Sequence, residues 1–245
     1  MANALLEVED LGKRFGGFVA LDAINLTVAA GERVGLIGPN GSGKSTLVNC
    51  LCGTLRNEMG RVRFAGGELD GLPAHRRVRL GIARSFQLPR PFAGLSVADN
   101  LRIPLLYTVN ARPGRHLASA AVARRVEELL GLVGLAGKAA RRPLDLSQVE
   151  MRKLELARAI AAEPKLLIAD EAMAGLSHAE VDDILALLVR LNEAGITIIL
   201  IEHIMRAVMS FSQRIVVLVA GRKIADAAPE DVIRDPDVVR AYLGE

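Results

Sequence analysis

Residues 38–46, Gly-Pro-Asn-Gly-Ser-Gly-Lys-Ser-Thr, decide the fold of this 245-residue chain. They contain the pattern GxxxxGKS and stand between an apolar run, 33–37, and a helical pattern that starts near Lys44. The three glycines let successive N–H groups turn inward around an anion, and the following helix adds the positive end of its dipole. A plain strand-to-helix turn is the alternative, but the strand before the loop and the helix after it favour a phosphate-binding loop.

The residue types in this loop suit a nucleoside triphosphate and Mg²⁺. We expect Lys44 to reach the β- and γ-phosphates, Ser45 to give its hydroxyl to Mg²⁺, and Thr46 to help hold the α-phosphate. The loop residues predicted to bind the nucleotide are Asn40, Gly41, Ser42, Gly43, Lys44, Ser45 and Thr46.

Four further candidates follow apolar strands or lie in a turn. Asp170 and Glu171 end the run 165–169, at the edge where open α/β sheets bind ligands, so they suit Mg²⁺ coordination; an acidic helix cap is the alternative. His203 follows the run 196–201 on the same side, where a functional and a structural histidine are both compatible with the pattern. Phe15 supplies the ring of the turn 13–17 and is able to stack on a base; a core phenylalanine is the alternative.

Composition narrows the class of protein. With 51% hydrophobic and 24% charged residues, the chain can bury a full core as one large domain or as one domain with a subdomain. The net charge of +3 comes from dispersed arginine pairs, and aromatic residues make up only 3%, so we expect no nucleic acid partner. Cys50 and Cys52 lie two apart on a predicted helix, where a strain-free disulfide is not expected, which indicates core residues of a reduced, cytosolic protein.

The N-terminus is acidic and has no basic start, which argues against a signal peptide. The chain also lacks a run of about 18 apolar residues without a charge. We therefore expect a protein that does not cross a membrane by itself.

Periodicity predicts an α/β chain with a helical insertion. Strands are predicted at 5–8, 21–28, 33–37, 61–64, 82–86, 165–171, 196–201, 215–218 and 223–225. Helices are predicted after the phosphate loop and at 74–80, 178–193 and 231–243. Between 88 and 161, prolines punctuate helical segments at 97–106, 117–130 and 148–160.

Five motifs occur in the order and spacing of an ATP-binding cassette (ABC). They are the phosphate loop, Gln87, the helix start Leu146-Ser147, the strand 166–171 and His203. The chain most resembles the ATPase subunit of bacterial branched-chain amino acid importers, and of the two ATPases in such importers, the one with the longer helical insertion. The segments that carry this closer resemblance are 14–17, 81–87, 174–176, 201–203 and 241–245.

The resemblance implies an α/β fold, the P-loop NTPase ABC fold, with a RecA-like mixed-sheet core, an N-terminal antiparallel β subdomain and an inserted helical subdomain. It implies a nucleotide-binding core with its β subdomain at 1–87 and 162–225. The helical subdomain that carries the signature would be 88–161, and a C-terminal helical tail 226–245.

The resemblance also implies roles for single residues. Phe15 would stack on adenine, and Gln87 would couple Mg²⁺ and the lytic water to the membrane partner. Asp170 would hold Mg²⁺ through water, Glu171 would polarise the attacking water, and His203 would contact the γ-phosphate. Ser147 would reach the ATP of a partner subunit.

The signature departs from the family pattern LSGGQ, because residues 146–150 read Leu-Ser-Gln-Val-Glu. Val149 replaces the second glycine, where the backbone must approach the γ-phosphate and a branched Cβ is expected to crowd it. Ser147 and Glu150 fit a capping box, so we expect the helix to start normally. Ser177, in place of a family aspartate, and Ala172, in place of a proline, bear on communication between paired subunits.

The implied protein hydrolyses ATP to energise a separate membrane permease. It would pair with a second ABC ATPase subunit, as a hetero- or homodimer, and serve a system with an extracytoplasmic solute-binding protein. It would lie in the cytoplasm, peripheral on the inner face of the plasma membrane. Two alternatives remain: a non-transport ABC ATPase that acts on nucleic acid or ribosomes, and a nucleotide-binding regulatory subunit whose hydrolysis is weak because of its altered signature. Solute choice belongs to other subunits, so branched-chain or related amino acids follow from resemblance alone.

Overall fold

The computed structural model describes residues 4–86 and 88–243. The strands of this part are β1 (Ala4–Phe15), β2 (Phe18–Ala29), β3 (Arg33–Ile37), β4 (Met59–Phe64), β5 (Gly67–Glu68), β6 (Ile82–Ser85), β7 (Leu166–Asp170), β8 (Thr197–Ile201), β9 (Arg214–Val219) and β10 (Arg222–Ala227). The α-helices are α1 (Lys44–Cys52), α2 (Ala74–Leu80), α3 (Val97–Pro104), α4 (Ser119–Leu132), α5 (Gln148–Ala161), α6 (His178–Glu193), α7 (Met205–Phe211), α8 (Pro229–Val232) and α9 (Pro236–Leu243).

A mixed sheet forms the centre of the molecule, in the order β10-β9-β3-β8-β7-β6. The strands from β9 to β6 pair in parallel, and β10 pairs antiparallel to β9. The residues of β7 and β8 are all buried and alternate between two cores, one on each face of the sheet. Continuous apolar runs are typical of parallel strands covered on both faces. Because β3, β7 and β8 run parallel, their carboxyl ends lie at the same edge of the sheet.

A second, antiparallel sheet has the order β2-β1-β4-β5. Its inward-facing side chains, such as Leu6 and Val62, share a core with Leu47 and Val48 of α1. This packing holds the turn between β1 and β2 close to the start of α1.

The insertion between β6 and β7 is helical, as predicted. In α4 the buried residues Val122, Val126, Leu129 and Leu130 recur at helical spacing and pack in the same core as α5 and α6. Leu105–Val109, directly after α3, forms a π-helical turn behind Pro104, since a proline cannot donate the regular helical hydrogen bond.

The predicted fold class is confirmed: the structure has a mixed α/β sheet, an antiparallel β subdomain and an inserted helical subdomain. The exact domain boundaries stay predictions. No helix among the described residues is long and apolar enough to span a bilayer. Cys50 and Cys52 are unpaired, and Cys50 is buried in the core.

Two predicted segments were wrong in extent. The turn 13–17 is confined to Gly16 and Gly17, because β1 continues to Phe15, which pairs with Phe18; a two-residue Gly-Gly loop is enough for a hairpin. The helix predicted at 231–243 is split into α8 and α9. The residue before a proline is disfavoured in a helix, and Asp235 instead caps α9 by accepting the N–H of Asp237 at 2.8 Å.

Candidate nucleotide site

The phosphate loop leads from β3 into α1, and its backbone requires glycine. Gly43, directly before α1, has φ 103°, and a Cβ there would lie 2.8 Å from the carbonyl oxygen of Ala20. A Cβ on Gly38 would lie 2.1 Å from the carbonyl oxygen of Leu218. These close approaches explain the glycines, since no other residue fits.

Lys44 is drawn back over the loop that precedes it. Its Nζ donates to the carbonyl oxygens of Gly38 at 2.7 Å and Pro39 at 3.0 Å, and the side chain is buried. Burial lowers the pKa of Lys44 from its usual value, while the negative charges of Glu171 and Asp170 oppose that shift. The charges of Glu171 and Asp170 therefore act directly on the Lys44 ammonium group.

Glu171 and His203 follow neighbouring parallel strands and meet. His203 Nε2 lies 3.0 Å from Glu171 Oε1. Glu171 has φ 48°, in the left-handed region, and its N–H donates to the carbonyl oxygen of Ile201 at 2.9 Å. A non-glycine residue held in this region is strained, and such strain concentrates at functional sites. Asp170, one residue earlier, is buried.

One cavity of about 260 Å³ collects most of the predicted site. Its walls include Phe15, Glu171, His203 and the whole predicted set 40–46. Phe15 is 48% exposed, so it is not the core phenylalanine that the sequence allowed as an alternative. Lys13 Nζ lies 5.3 Å from the centroid of the Phe15 ring.

The family model described as ABC transporter matches residues 21–174 of this sequence. The chain belongs to the ABC transporter family. A second model, described as Branched-chain amino acid ATP-binding cassette transporter, matches residues 222–245. The High-affinity branched-chain amino acid transport ATP-binding protein BraF of Pseudomonas aeruginosa is 39% identical over 254 aligned positions, which cover all of both chains.

Solved ABC cassettes share the fold. The ADP conformation of MJ1267, an ATP-binding cassette of an ABC transporter, superimposes with a TM-score of 0.87 at 31% identity and covers 99% of each chain. The dimeric post-hydrolysis state of the ATP-binding cassette MJ0796, bound to ADP and Pi, gives a TM-score of 0.81 at 25% identity, over 91% of this chain and 98% of that one. This chain is thus an ABC transporter ATPase, and the nucleotide it binds is ATP.

Two described residues of the predicted site, Asp170 and Ser147, do not line the cavity of this ABC cassette. Gln87 lies outside the described residues. Ser147 lies at the start of α5, where its side chain accepts the N–H of Glu150 at 3.4 Å and Glu150 Oε2 accepts the N–H of Ser147 at 2.9 Å. The predicted capping box is therefore confirmed, and Val149 is half-buried in the first helical turn.

Glu150 also binds Lys138, whose Nζ lies 2.6 Å from Oε1. This hydrogen bond, together with the one from the Ser147 N–H, lowers the pKa of Glu150 from its usual value. Ser177 caps α6 with Glu180 in the same arrangement. Ser147 and Ser177 thus both cap the starts of helices.

Sequence reasoning missed three polar residues around the ABC site. Glu202 is 3% exposed and accepts the N–H of Met173 at 2.8 Å, and burial raises its pKa. Burial raises the pKa of Tyr242 of α9, and the nearby N–H of Gly38 opposes that shift. Arg84 of β6 bonds to Asp170. A charged residue within or just after a buried strand, as at 84 and 202, was the available signal, because such residues are seldom buried unless paired.

Proposed function

We propose that this ABC ATPase energises a bacterial importer for branched-chain or related amino acids, acting on a separate membrane permease with an extracytoplasmic solute-binding protein. The main observation behind this proposal is that one cavity is lined by the phosphate loop, Glu171, His203 and Phe15. The similarity to a full-length branched-chain amino acid transport ATP-binding protein and to the C-terminal family model supports the amino-acid substrate. On this proposal the chain lies in the cytoplasm, peripheral on the inner face of the plasma membrane.

The chemistry follows from the side chains around the cavity. Phosphoryl transfer to water needs charge neutralisation at the phosphates and an acceptor for the water proton. Lys44 supplies positive charge, and Glu171 supplies the acceptor. His203 holds Glu171 by its hydrogen bond, and we propose that it contacts the γ-phosphate. The exposed ring of Phe15 lines the same cavity, where it is available to stack on adenine.

The donor set suits Mg²⁺. Ser45, Asp170 and Gln87 offer hydroxyl, carboxylate and amide oxygens, which are the hard ligands that Mg²⁺ prefers beside phosphate oxygens. Ser45 lines the cavity. Asp170 directly precedes Glu171 in the sequence, and Glu171 also lines the cavity. When bound, the ion neutralises charge on the phosphates. We therefore propose that Mg²⁺ is a cofactor and that Asp170 holds it through a water molecule.

A second concavity, a groove, supports a permease partner. It has a volume of about 240 Å³ and lies between β6 and the helical insertion. Phe86, Phe92 and Tyr107 line it, and their side chains are 41%, 45% and 68% exposed. Large exposed apolar side chains around a concavity are typical of protein interaction sites. Phe86 directly precedes Gln87, so a permease helix seated here would adjoin the residue expected to couple it to hydrolysis.

A second ABC ATPase completes the proposed complex. The family places each ATP between the phosphate loop of one subunit and the signature of the other. Val149 presents a branched side chain where that signature has glycine, so we propose that this chain's own loop hydrolyses ATP against an intact sister signature. The sister's loop, which faces Val149, hydrolyses poorly.

Reconstitution tests the proposal. The chain is assembled in liposomes with the permease, sister ATPase and solute-binding protein encoded by neighbouring reading frames, with ATP enclosed on the ATPase side. We expect uptake of labelled leucine, isoleucine or valine that requires ATP and stops in the Lys44→Ala variant. A complex that hydrolyses ATP but takes up other solutes would correct the substrate.

The competing functions predict other outcomes. A non-transport ATPase would be retained on DNA or ribosomes and would not co-purify with a permease. A regulatory subunit would co-purify with the permease. In that case the assembled complex would hydrolyse ATP at the same rate whether this chain is wild type or carries Lys44→Ala.

A further inference from the structure

Arg84 lies beside the proposed Mg²⁺ site and bonds to the side chain of Asp170. Its Nε and Nη2 both donate to Asp170 Oδ2, at 3.1 Å and 2.5 Å. The two side chains are only 15% and 10% exposed. Because both donors end on one oxygen, the guanidinium holds Oδ2 of Asp170 in place.

The same guanidinium joins a second element. Arg84 Nη1 donates to Asn49 Oδ1 at 2.8 Å. Asn49 lies on α1 four residues after Ser45, so the two side chains occupy one face of the helix on successive turns. Arg84 therefore ties the helix that carries one proposed Mg²⁺ ligand to the strand that carries another.

A third contact is with Phe86. The Arg84 guanidinium carbon lies 5.3 Å from the centroid of the Phe86 ring, a distance at which a cation is attracted to an aromatic face. Phe86 is the residue before Gln87. One side chain thus contacts Phe86 and both α1 and β7, the two elements that carry Ser45 and Asp170.

The geometry points to Arg84 as a positioning residue that sets the spacing of the Mg²⁺ ligands, an inference that rests on the Mg²⁺ site proposed above. Arginine suits this role because its planar fork offers donors in fixed directions. Lysine carries the same charge but has a single ammonium, which cannot span Asp170 and Asn49 with the same geometry. A lysine replacement therefore separates positioning from charge.

Metal binding is measured without turnover. The full-length chain carries Glu171→Gln to prevent hydrolysis, ATP is saturating, and Mn²⁺ replaces Mg²⁺ so that free ion is counted by electron paramagnetic resonance. ATP affinity is measured separately in EDTA. The variants are Arg84→Met, Arg84→Lys and Asn49→Ala. The matched control is Arg214→Met, which removes a partly buried arginine paired with Glu32 at the amino end of β9.

We expect Arg84→Met to raise the Mn²⁺ concentration for half-saturation at least about 10-fold, since charged hydrogen bonds are lost. ATP affinity in EDTA should change less than about two-fold. Arg84→Lys should stay defective by about five-fold or more, and Asn49→Ala should shift Mn²⁺ binding in the same direction by about three-fold. Arg214→Met should lower the melting temperature and leave Mn²⁺ binding unchanged.

Two results would overturn the inference: Mn²⁺ binding by Arg84→Met within about two-fold of the parent, or full recovery in Arg84→Lys. If Arg84→Met does not fold, Arg84→Lys and Asn49→Ala decide the question in the same assay. A parent protein that binds ATP but retains no Mn²⁺ would instead refute the proposed Mg²⁺ site itself, so the two failures are distinct.

Discussion

His203 Nε2 and Glu171 Oε1 lie 3.0 Å apart, although the two residues are separated by 32 positions in the sequence. They meet because β7 and β8 are parallel neighbours in register, with Asp170 beside Ile201, and each residue follows the end of its strand. A hydrogen bond from the histidine selects one orientation of the carboxylate. Glu171 is thereby held toward the cavity that contains Lys44 and Ser45.

Replacing the acceptor should stop hydrolysis and spare binding. In Glu171→Gln the side chain keeps its size but loses its basicity, so we expect turnover to fall by about 10²- to 10⁴-fold. Binding of a fluorescent ATP analogue should stay within a few-fold of wild type. Steady-state phosphate release and equilibrium titration measure the two quantities.

The control for this change is Glu193→Gln, at the exposed end of α6, which should leave both quantities unchanged. Undiminished turnover in Glu171→Gln would remove Glu171 from the role of proton acceptor.

Restoring a glycine in the signature should activate the sister's site. With Val149→Gly in the assembled heterodimer, the backbone of α5 can approach the γ-phosphate held by the sister's loop. When Glu171 of this chain is also replaced by Gln, the remaining turnover belongs to the sister's site. We expect that remainder to rise on the order of 10-fold, equivalent to a barrier lower by about 1.4 kcal/mol.

A matched control is Ala120→Gly, which puts glycine at the corresponding second position of α4 and should not change the remainder. If the residual turnover of the sister's site is the same with Val149 as in the Val149→Gly variant, the branched side chain does not impair that site.

Acid should remove the stabilising effect of Glu150. Its folded pKa is lowered, chiefly by the hydrogen bond from Lys138, so its contribution is present above the unfolded value of about 4.5 and is lost as the pH falls through the folded value. We expect Glu150→Gln to lower the free energy of unfolding by about 1 kcal/mol or less at pH 7. Urea denaturation from about pH 7 to about pH 3.5 should show this difference shrinking in the acid part of the range.

The control is Glu127→Gln, on the exposed face of α4, which should show no such trend. If the difference in free energy of unfolding between wild type and Glu150→Gln widened in acid, that result would contradict the assignment.

The two thiols should react slowly in the folded chain. Burial raises the pKa of Cys52 to about 11 and also raises that of Cys50, and the thiolate is the reactive form. At about pH 8 we expect iodoacetamide to alkylate the folded protein at least about 100-fold more slowly than the urea-unfolded protein. The reason is that an unperturbed cysteine has a pKa of about 8.5. The rate in the folded protein should increase as the pH rises toward about 10. Mass spectrometry of the labelled peptides gives both rates, and equal rates in folded and unfolded chains would refute the prediction.

Local signals were sufficient for much of the fold and for part of the site. The phosphate loop was predictable because its glycines, lysine and hydroxyls act within one short run of consecutive residues, and strands such as β7 appear in the sequence as apolar runs. Arg84 was not predictable, because its partner Asp170 lies on a neighbouring strand, and only the pairing of Arg84 with Ile168 brings them together. The break before α9 was readable from Asp235-Pro236, since proline restricts the residue that precedes it.

Tyr242 of α9 lies beside the N–H of Gly38, which opposes the rise in the tyrosine pKa that burial causes, so the last described helix adjoins the first residue of the phosphate loop. An affinity tag or fluorescent protein fused behind this helix would be attached to a segment that adjoins the phosphate loop. Fusions for purification or imaging therefore belong at the opposite terminus, and nucleotide affinities obtained with a carboxyl-terminal tag need comparison with protein from which the tag has been cleaved.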